Sequence, residues 1–264
     1  MHVAIFVDDL LVSSVHASDG ERFLKNMNQH KTGGTPWKVR NLGRPKQFLG
    51  LEVRWNRYGV KLTHTAMIER LVERFNVCKH AVHTPMVAGK TLEPSDAAKD
   101  KPDATEYRSI TGTISFIAGS ARPDCAYIAK ELARNLSNPS AEHMRAAKRC
   151  AQYLYTTRYD GVTYDRRMSH QPIAYCDADF ANQITNRRST SGKAIMLYGA
   201  AVLWSSRQQP TVALQSRYAK VHQSTHFLIS FRHVRAKIGP MASQVAPHVL
   251  QLLAGPWGLF RSGW

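Results

Sequence analysis

Hydrophobic spacing changes twice along this chain, from a period of two to one of about 3.6 and back, and this alternation of strand-like and helix-like stretches restricts the fold to a mixture of sheets and helices. Val3, Ile5 and Val7 alternate before Asp8-Asp9, and Leu10, Leu11 and Val12 follow. That pattern predicts a hairpin with the two acids at its tip. Phe23, Leu24 and Met27 predict a short helix over Asp19 to about Asn28, and Gly33 to Pro36 reads as a loop. Leu49, Leu51, Val53 and Trp55 alternate, Gly59 is expected to supply a turn, and Val60 and Leu62 return, so a second hairpin is predicted.

Ile68, Leu71, Val72 and Phe75 fall on one helical face. Residues 84–104 contain three prolines and Gly89 without periodicity and read as a connector. Helical spacing then resumes in three runs: Tyr107 to Ile117, Cys125 to Leu136, and Met144 to Leu154. Pro123-Asp124 and Pro139-Ser140 have the chemistry of helix starts. From Pro172 the period is two again, through Ile173, Tyr175 and Asp177, with further strands expected at Ser191–Tyr198 and Ala201–Ser206. After about Ser216 no alternation is convincing. The fold class is α+β.

The length of 264 residues suits two domains. With 36 Lys and Arg against 19 Asp and Glu, a formal charge of +17 spread along the chain favours a polyanion such as nucleic acid over a membrane surface, and 43% hydrophobic residues argue against disorder of the whole. Cys78, Cys125, Cys150 and Cys176 form no C-x-x-C pair, which excludes a zinc ribbon and a stapled secreted scaffold. Asp8 and Asp9 interrupt the apolar opening, and prolines and glycines split Val245 to Phe260, so neither a signal peptide nor a membrane span is expected. The expected location is intracellular, in cytoplasm or nucleus.

Adjacent carboxylates at a hairpin tip repel each other, and a fold that points both one way suits a divalent cation such as Mg²⁺. A solvated turn is the competing reading of that dipeptide taken alone. His222 and His226 have the spacing of a zinc helix but lack its general-base Glu, and read as non-metal residues. Trp55, Trp204, Tyr58 and Tyr198 lie in strand-like segments and are expected to pack rather than stack on bases. Arg187 and Arg188 are candidate phosphate contacts.

Phe6-Val7-Asp8-Asp9-Leu10-Leu11-Val12 resembles the Y/F-x-D-D palm hairpin of reverse transcriptases, specifically that of the copia-type LTR retrotransposon Pol polyprotein. The resemblance recurs in family order. Asn41-Leu42-Gly43 with Phe48-Leu49-Gly50-Leu51-Glu52-Val53 is similar to the primer-grip segment, and Thr84-Pro85-Met86 to the connector. Tyr107-Arg108, Gly112-Thr113, Ala121-Arg122-Pro123-Asp124-Cys125-Ala126-Tyr127, and Leu136-Ser137-Asn138-Pro139 with His143 are similar to the helical segment before RNase H. Ala174-Tyr175-Cys176-Asp177-Ala178-Asp179, Arg188-Ser189-Thr190-Ser191-Gly192 and Trp204-Ser205-Ser206 to Leu214 resemble the opening of RNase H.

The resemblance implies a partial reverse-transcriptase palm and thumb followed by an incomplete RNase H-like mixed sheet. The corresponding segments are a palm remnant over 1–83, a connector over 84–104, a helical thumb or connection over 105–160, a truncated RNase H-like domain over 161–216, and an unmatched, disordered tail over 217–264. It further implies that Asp8 and Asp9 are polymerase metal ligands, that Phe48, Leu49 and Gly50 position a primer terminus, and that Asp177, with Asp179, ligates the RNase H metal. Mg²⁺ would be the cofactor, and an RNA–DNA hybrid or primer-template the partner.

The sequence departs from the family pattern in two places. A third metal-binding aspartate is expected upstream of the hairpin, and none precedes Met1. In the E-A-E-Y segment expected after Leu214, Tyr218 and Lys220 stand at the acid positions, and neither phenol nor ammonium replaces a carboxylate on Mg²⁺. The expectation is therefore weak or absent metal binding and a catalytically incomplete fragment. The rival is a non-catalytic nucleic-acid-binding remnant.

Overall fold

The computed structural model describes residues 1–14, 16–29, 31–32, 35–36, 38–94, 101–179, 188–210 and 257–263. Strands β1 (His2–Phe6) and β2 (Asp9–Ser13) form the first hairpin, followed by helix α1 (Ala17–Gln29), the short β3 (Lys31–Thr32) and β4 (Thr35–Pro36), and β5 (Lys38–Asn41). Then come β6 (Gln47–Phe48), β7 (Leu51–Trp55), β8 (Gly59–Thr63), and helices α2 (Thr65–Arg74), α3 (Ala104–Ser120), α4 (Ala126–Ala133) and α5 (Ala141–Thr156). The order closes with β9 (Val162–Asp165), β10 (Ile173–Asp179), β11 (Thr190–Leu197), β12 (Ala200–Gln208) and β13 (Trp257–Gly263). The α+β class follows directly.

The helical runs of the sequence form the main core. Ile68, Leu71 and Val72 of α2 meet Tyr107, Ile110, Ile114 and Ile117 of α3, Ile128 and Leu132 of α4, and Ala147, Ala151 and Leu154 of α5. Each fully buried branched aliphatic here contributes about 1.5–3 kcal/mol, whereas exposed pairs such as Lys90–Glu142 contribute about 0–1 kcal/mol, so packing governs this region. Asp103 caps α3 by accepting from Thr105 N at 2.8 Å. Ser140 and His143 cap α5 reciprocally: Ser140 Oγ accepts from His143 N, and His143 Nδ1 accepts from Ser140 N. The run from Cys125 to Leu136 is split, because Pro123–Cys125 forms a 3₁₀ turn and α4 ends at Ala133.

The core crosses the expected segment borders. Leu92 of the connector is buried in it, and Glu93 O is bonded to His143 Nε2 at 2.9 Å, while Thr84 Oγ1 accepts from Arg149 at 3.0 Å. Strand β9, from the segment expected to open the RNase H-like part, pairs instead with β8, giving the sheet order β6-β7-β8-β9. Gly59 explains this pairing and corrects its expected role as a turn. The turn is made by Asn56, whose Oδ1 accepts from Tyr58 N and Gly59 N, while Gly59 itself begins β8. A Cβ at Gly59 would lie 1.8 Å from Tyr164 O of β9, so only glycine lets the two backbones meet.

A second sheet has the order β1-β2-β13-β5, and a third β10-β11-β12. All strand pairs among the described residues are antiparallel, so the third sheet is antiparallel where a mixed one was expected. Its β11–β12 turn is two residues long, Tyr198-Gly199, which joins only antiparallel neighbours. One stretch where no strand was expected is extended: β13 lies between β2 and β5 and pairs with both. Its sequence has no alternation to reveal it, because the ladder there is set by two edges distant in sequence.

Candidate nucleic-acid interface

The first hairpin closes with Phe6 opposite Asp9, so the two-residue turn is Val7-Asp8, one position earlier than an Asp8-Asp9 turn. Val7 has a φ of 50°, a conformation that costs a β-branched residue energy, and its side chain is 80% exposed. Leu10 and Val12 of β2 are buried with Val39 of β5, under Val3 and the α1 residues Phe23, Leu24 and Met27. That small core anchors the hairpin base and leaves its tip outward: Asp8 is exposed and Asp9 half-buried.

Phe48 ends β6, and Leu49-Gly50 form the next two-residue turn, with φ of 51° and 79° at the two positions, as a type I′ hairpin requires. The turn is tied to the helical core by a group that sequence reasoning missed. His64, 1% exposed, bonds Gly50 O through Nδ1 at 3.0 Å and Ser120 Oγ through Nε2 at 2.6 Å. Burial holds its imidazole below the ordinary value, against the opposing pull of Gly50 O and Glu52. Beside the turn lies a groove of about 730 Å³ between α2 and α3, lined by Met67, Arg70, Arg74, Phe75 and Phe116 among others. Phe116 is 48% exposed. A Thr-His-Thr at a helix start was the only signal for His64, and it does not reveal a partner fourteen residues back.

Asp177 and Asp179 lie on β10, both exposed and, two residues apart, on the same face. Asp177 Oδ1 accepts from Ala178 N at 2.9 Å. Arg188 is exposed just before β11, whereas Arg187 lies outside the described residues, as do Tyr218, Lys220, His222 and His226. The two acidic pairs belong to different sheets. No group of three or more His, Cys, Asp or Glu side chains that could hold a metal ion occurs among the described residues. Of the aromatics, Trp55 Nε1 donates to Pro45 O, Trp204 Nε1 donates to Ala118 O, and Tyr198 is buried. Tyr58 lies under the Arg167 guanidinium, 3.7 Å from its ring centre.

The A-R-P-D-C segment is anchored in the core through Ala121, Arg122 and Cys125, while Asp124 is exposed. Arg122, 2% exposed, holds Asp124 with Nε at 3.0 Å and Nη2 at 2.7 Å, and donates to Thr157 O and Oγ1. Tyr153 OH adds a bond to the same carboxylate at 2.8 Å. Burial works against the Asp124 charge, but the Arg122 bonds outweigh it and keep the carboxyl below its ordinary value. No helix among the described residues is long and apolar enough to cross a membrane.

The chain is 30% identical over 210 residues to the putative transposon Ty5-1 protein of Saccharomyces cerevisiae, covering 79% of this chain and 66% of that protein. It is 32% identical over 198 residues to the retrovirus-related Pol polyprotein from transposon TNT 1-94 of Nicotiana tabacum, covering 71% of this chain and 15% of the polyprotein. A shorter match, 38% over 110 residues, is to secreted RxLR effector protein 161 of Plasmopara viticola, covering 42% of this chain and 78% of that protein. The chain thus spans about two-thirds of the first of these relatives and a small part of the polyprotein. No family model matches the sequence, and no solved structure matches the fold.

Proposed function

The chain belongs to the Ty/copia-type family of retrotransposon Pol polyproteins, and from that premise we propose that it is a nucleic-acid-binding piece of such a polyprotein with an incomplete catalytic set. In this reading β1, β2 and the β6–β8 hairpins are a reverse-transcriptase palm remnant, α3 to α5 a thumb or connection, and β10 to β12 the opening strands of an RNase H-like domain. The observation that carries the reading is the Asp8–Asp9 pair at the bend of a two-stranded antiparallel hairpin, with the remaining family motifs following in order.

Each candidate residue then has a role. Asp8 and Asp9 are the remaining polymerase carboxylates, Phe48, Leu49 and Gly50 face a primer terminus, and Asp177, with Asp179, descends from the RNase H site. Arg187 and Arg188 contact phosphate. The His64 bridge supports the second assignment physically, because it fixes the Leu49–Gly50 turn against α3 and beside the exposed Phe116. Mg²⁺, where a full ligand set exists, clamps the attacking and leaving oxygens of phosphoryl transfer. Here Tyr218 and Lys220 occupy two acid positions of the RNase H pattern, and each acidic pair stands without a third ligand among the described residues, so metal binding is weak or absent.

Two measurements on the purified chain test this. Fluorescence anisotropy with a labelled primer-template is expected to show binding that weakens steeply with salt, as phosphate contacts require. Primer extension and hybrid cleavage with Mg²⁺ or Mn²⁺ are expected to show no turnover. Extension that disappears in Asp8→Asn would overturn the incomplete catalytic set. Absent or salt-insensitive binding would overturn the nucleic-acid reading itself.

A further inference from the structure

Away from both acidic pairs, an open groove of about 620 Å³ runs between the helical core and the third sheet. Its floor is made of small residues of α3 and α4, and its rims carry Lys130 and Arg134 on one side and Ser205, Ser206 and Arg207 on the other. Two hydrogen bonds tie the two sides together. Trp204 Nε1 of β12 donates to Ala118 O of α3 at 2.7 Å, and Lys130 Nζ of α4 donates to Thr190 Oγ1 of β11 at 3.0 Å. The groove is therefore built into the packing of helices on sheet rather than left between loose parts.

Its charge is unbalanced. Glu131, fully buried beneath the rim, pairs with both Lys130 at 2.5 Å and Arg134 at 2.9 Å, and Asp179 lies within electrostatic reach of Lys130. Against these two acids stand the three cations that line the groove, Lys130, Arg134 and Arg207. Serine hydroxyls on the rim supply neutral donors of the kind that phosphate oxygens accept. The indole of Trp204 already donates to Ala118 O and packs β12 on α3, so the groove has no free stacking platform of its own.

We propose that this groove holds the sugar-phosphate backbone of a bound nucleic acid and reads no bases. It is a second contact beyond the hairpin tips, and it rests on the nucleic-acid reading above. Arg207 is the residue to change, because it is exposed and its loss leaves the Glu131 pairs intact.

Binding of two RNA–DNA hybrids of unrelated sequence to the intact chain, followed by anisotropy over a range of salt, tests the proposal. For Arg207→Ala the affinity is expected to fall about fivefold to tenfold at ~0.1 M salt, equally for both hybrids, with the slope of log K against log salt reduced by about one. Arg207→Glu is expected to fall further, with an unchanged thermal melt. Unaltered affinity and slope in Arg207→Glu, in a chain that still binds hybrid, would overturn the groove and leave the nucleic-acid reading standing. A loss confined to one of the two sequences would overturn the backbone assignment. A wild-type chain that binds neither hybrid would bring down both readings together.

Discussion

Asp124 and the Asp8–Asp9 pair come from motifs of similar length, yet Asp124, itself exposed, is held by a guanidinium buried in the helical core, whereas Asp8 stands at the bend of an edge hairpin. Asp124 receives two bonds from a buried guanidinium and one from Tyr153. Asp8 sits in a two-residue turn whose anchoring hydrophobic contacts lie toward the hairpin base. The contrast is one of surroundings: Asp124 neutralises a buried cation and so has a structural task, whereas Asp8 is an exposed carboxylate in a tight turn.

Breaking the first region should have the largest effect. Arg122→Ala leaves the Thr157 carbonyl without this donor and removes a buried guanidinium, and is expected to destabilise the chain by about 1–3 kcal/mol in urea unfolding. A loss below about 1 kcal/mol would mean that the network is not a structural lock. Ser140→Ala removes the side-chain half of the α5 capping box and should cost about 1 kcal/mol by the same measurement. Tyr153→Phe deletes a single bond to Asp124 and is expected to cost about 0.5–1.5 kcal/mol. Asp8→Asn and Asp9→Asn should change stability by less than about 0.5 kcal/mol while altering any nucleic-acid or metal response, which would complete the contrast.

Acid titration sharpens the comparison. The His64 imidazole is held below its ordinary value of 6.5, so the unfolded chain binds its proton first. The associated stability is complete above about pH 6.5 and falls as the pH drops below it, levelling off once the folded-state imidazole is protonated. Asp124, held below its ordinary value of 3.8, contributes stability that is complete above that value and lost as the pH falls through its lower folded-state value. Thermal melts followed from pH 8 to pH 3 should therefore show an early decline that His64→Ala abolishes and a late one that Asp124→Asn abolishes.

Much of this architecture could be read from local pattern. The apolar spacing of Tyr107, Ile110, Ile114 and Ile117 located α3, the Pro139-Ser140 start preceded α5, and alternation located β1, β2, β7, β8 and β10 to within a few residues. What escaped was decided by partners distant in sequence. Gly59 read as a turn because glycine permits one, but it serves a close approach to Tyr164, more than a hundred residues later. Likewise, nothing around Trp257 to Gly263 signals a strand until β2 and β5 supply its ladder. At the candidate site, Asp8 was legible because hairpin tips have local chemistry, whereas Leu49 read as part of a strand and proves, with Gly50, to be a turn. His64 and the Lys130–Arg207 groove were not legible, since each joins elements whose meeting depends on packing.

The sequence by itself determined which stretches are helical or extended and which acids face outward at a tight bend, because periodicity and turn chemistry act over a few residues. Only tertiary structure decided that the A-R-P-D segment ties Asp124 to a buried guanidinium, that β9 joins the sheet of β6, β7 and β8, and that cations from α4 and β12 line one groove. Those outcomes follow from backbone approach, buried charge and helix-on-sheet packing, which depend on distances between residues that the chain order does not encode locally.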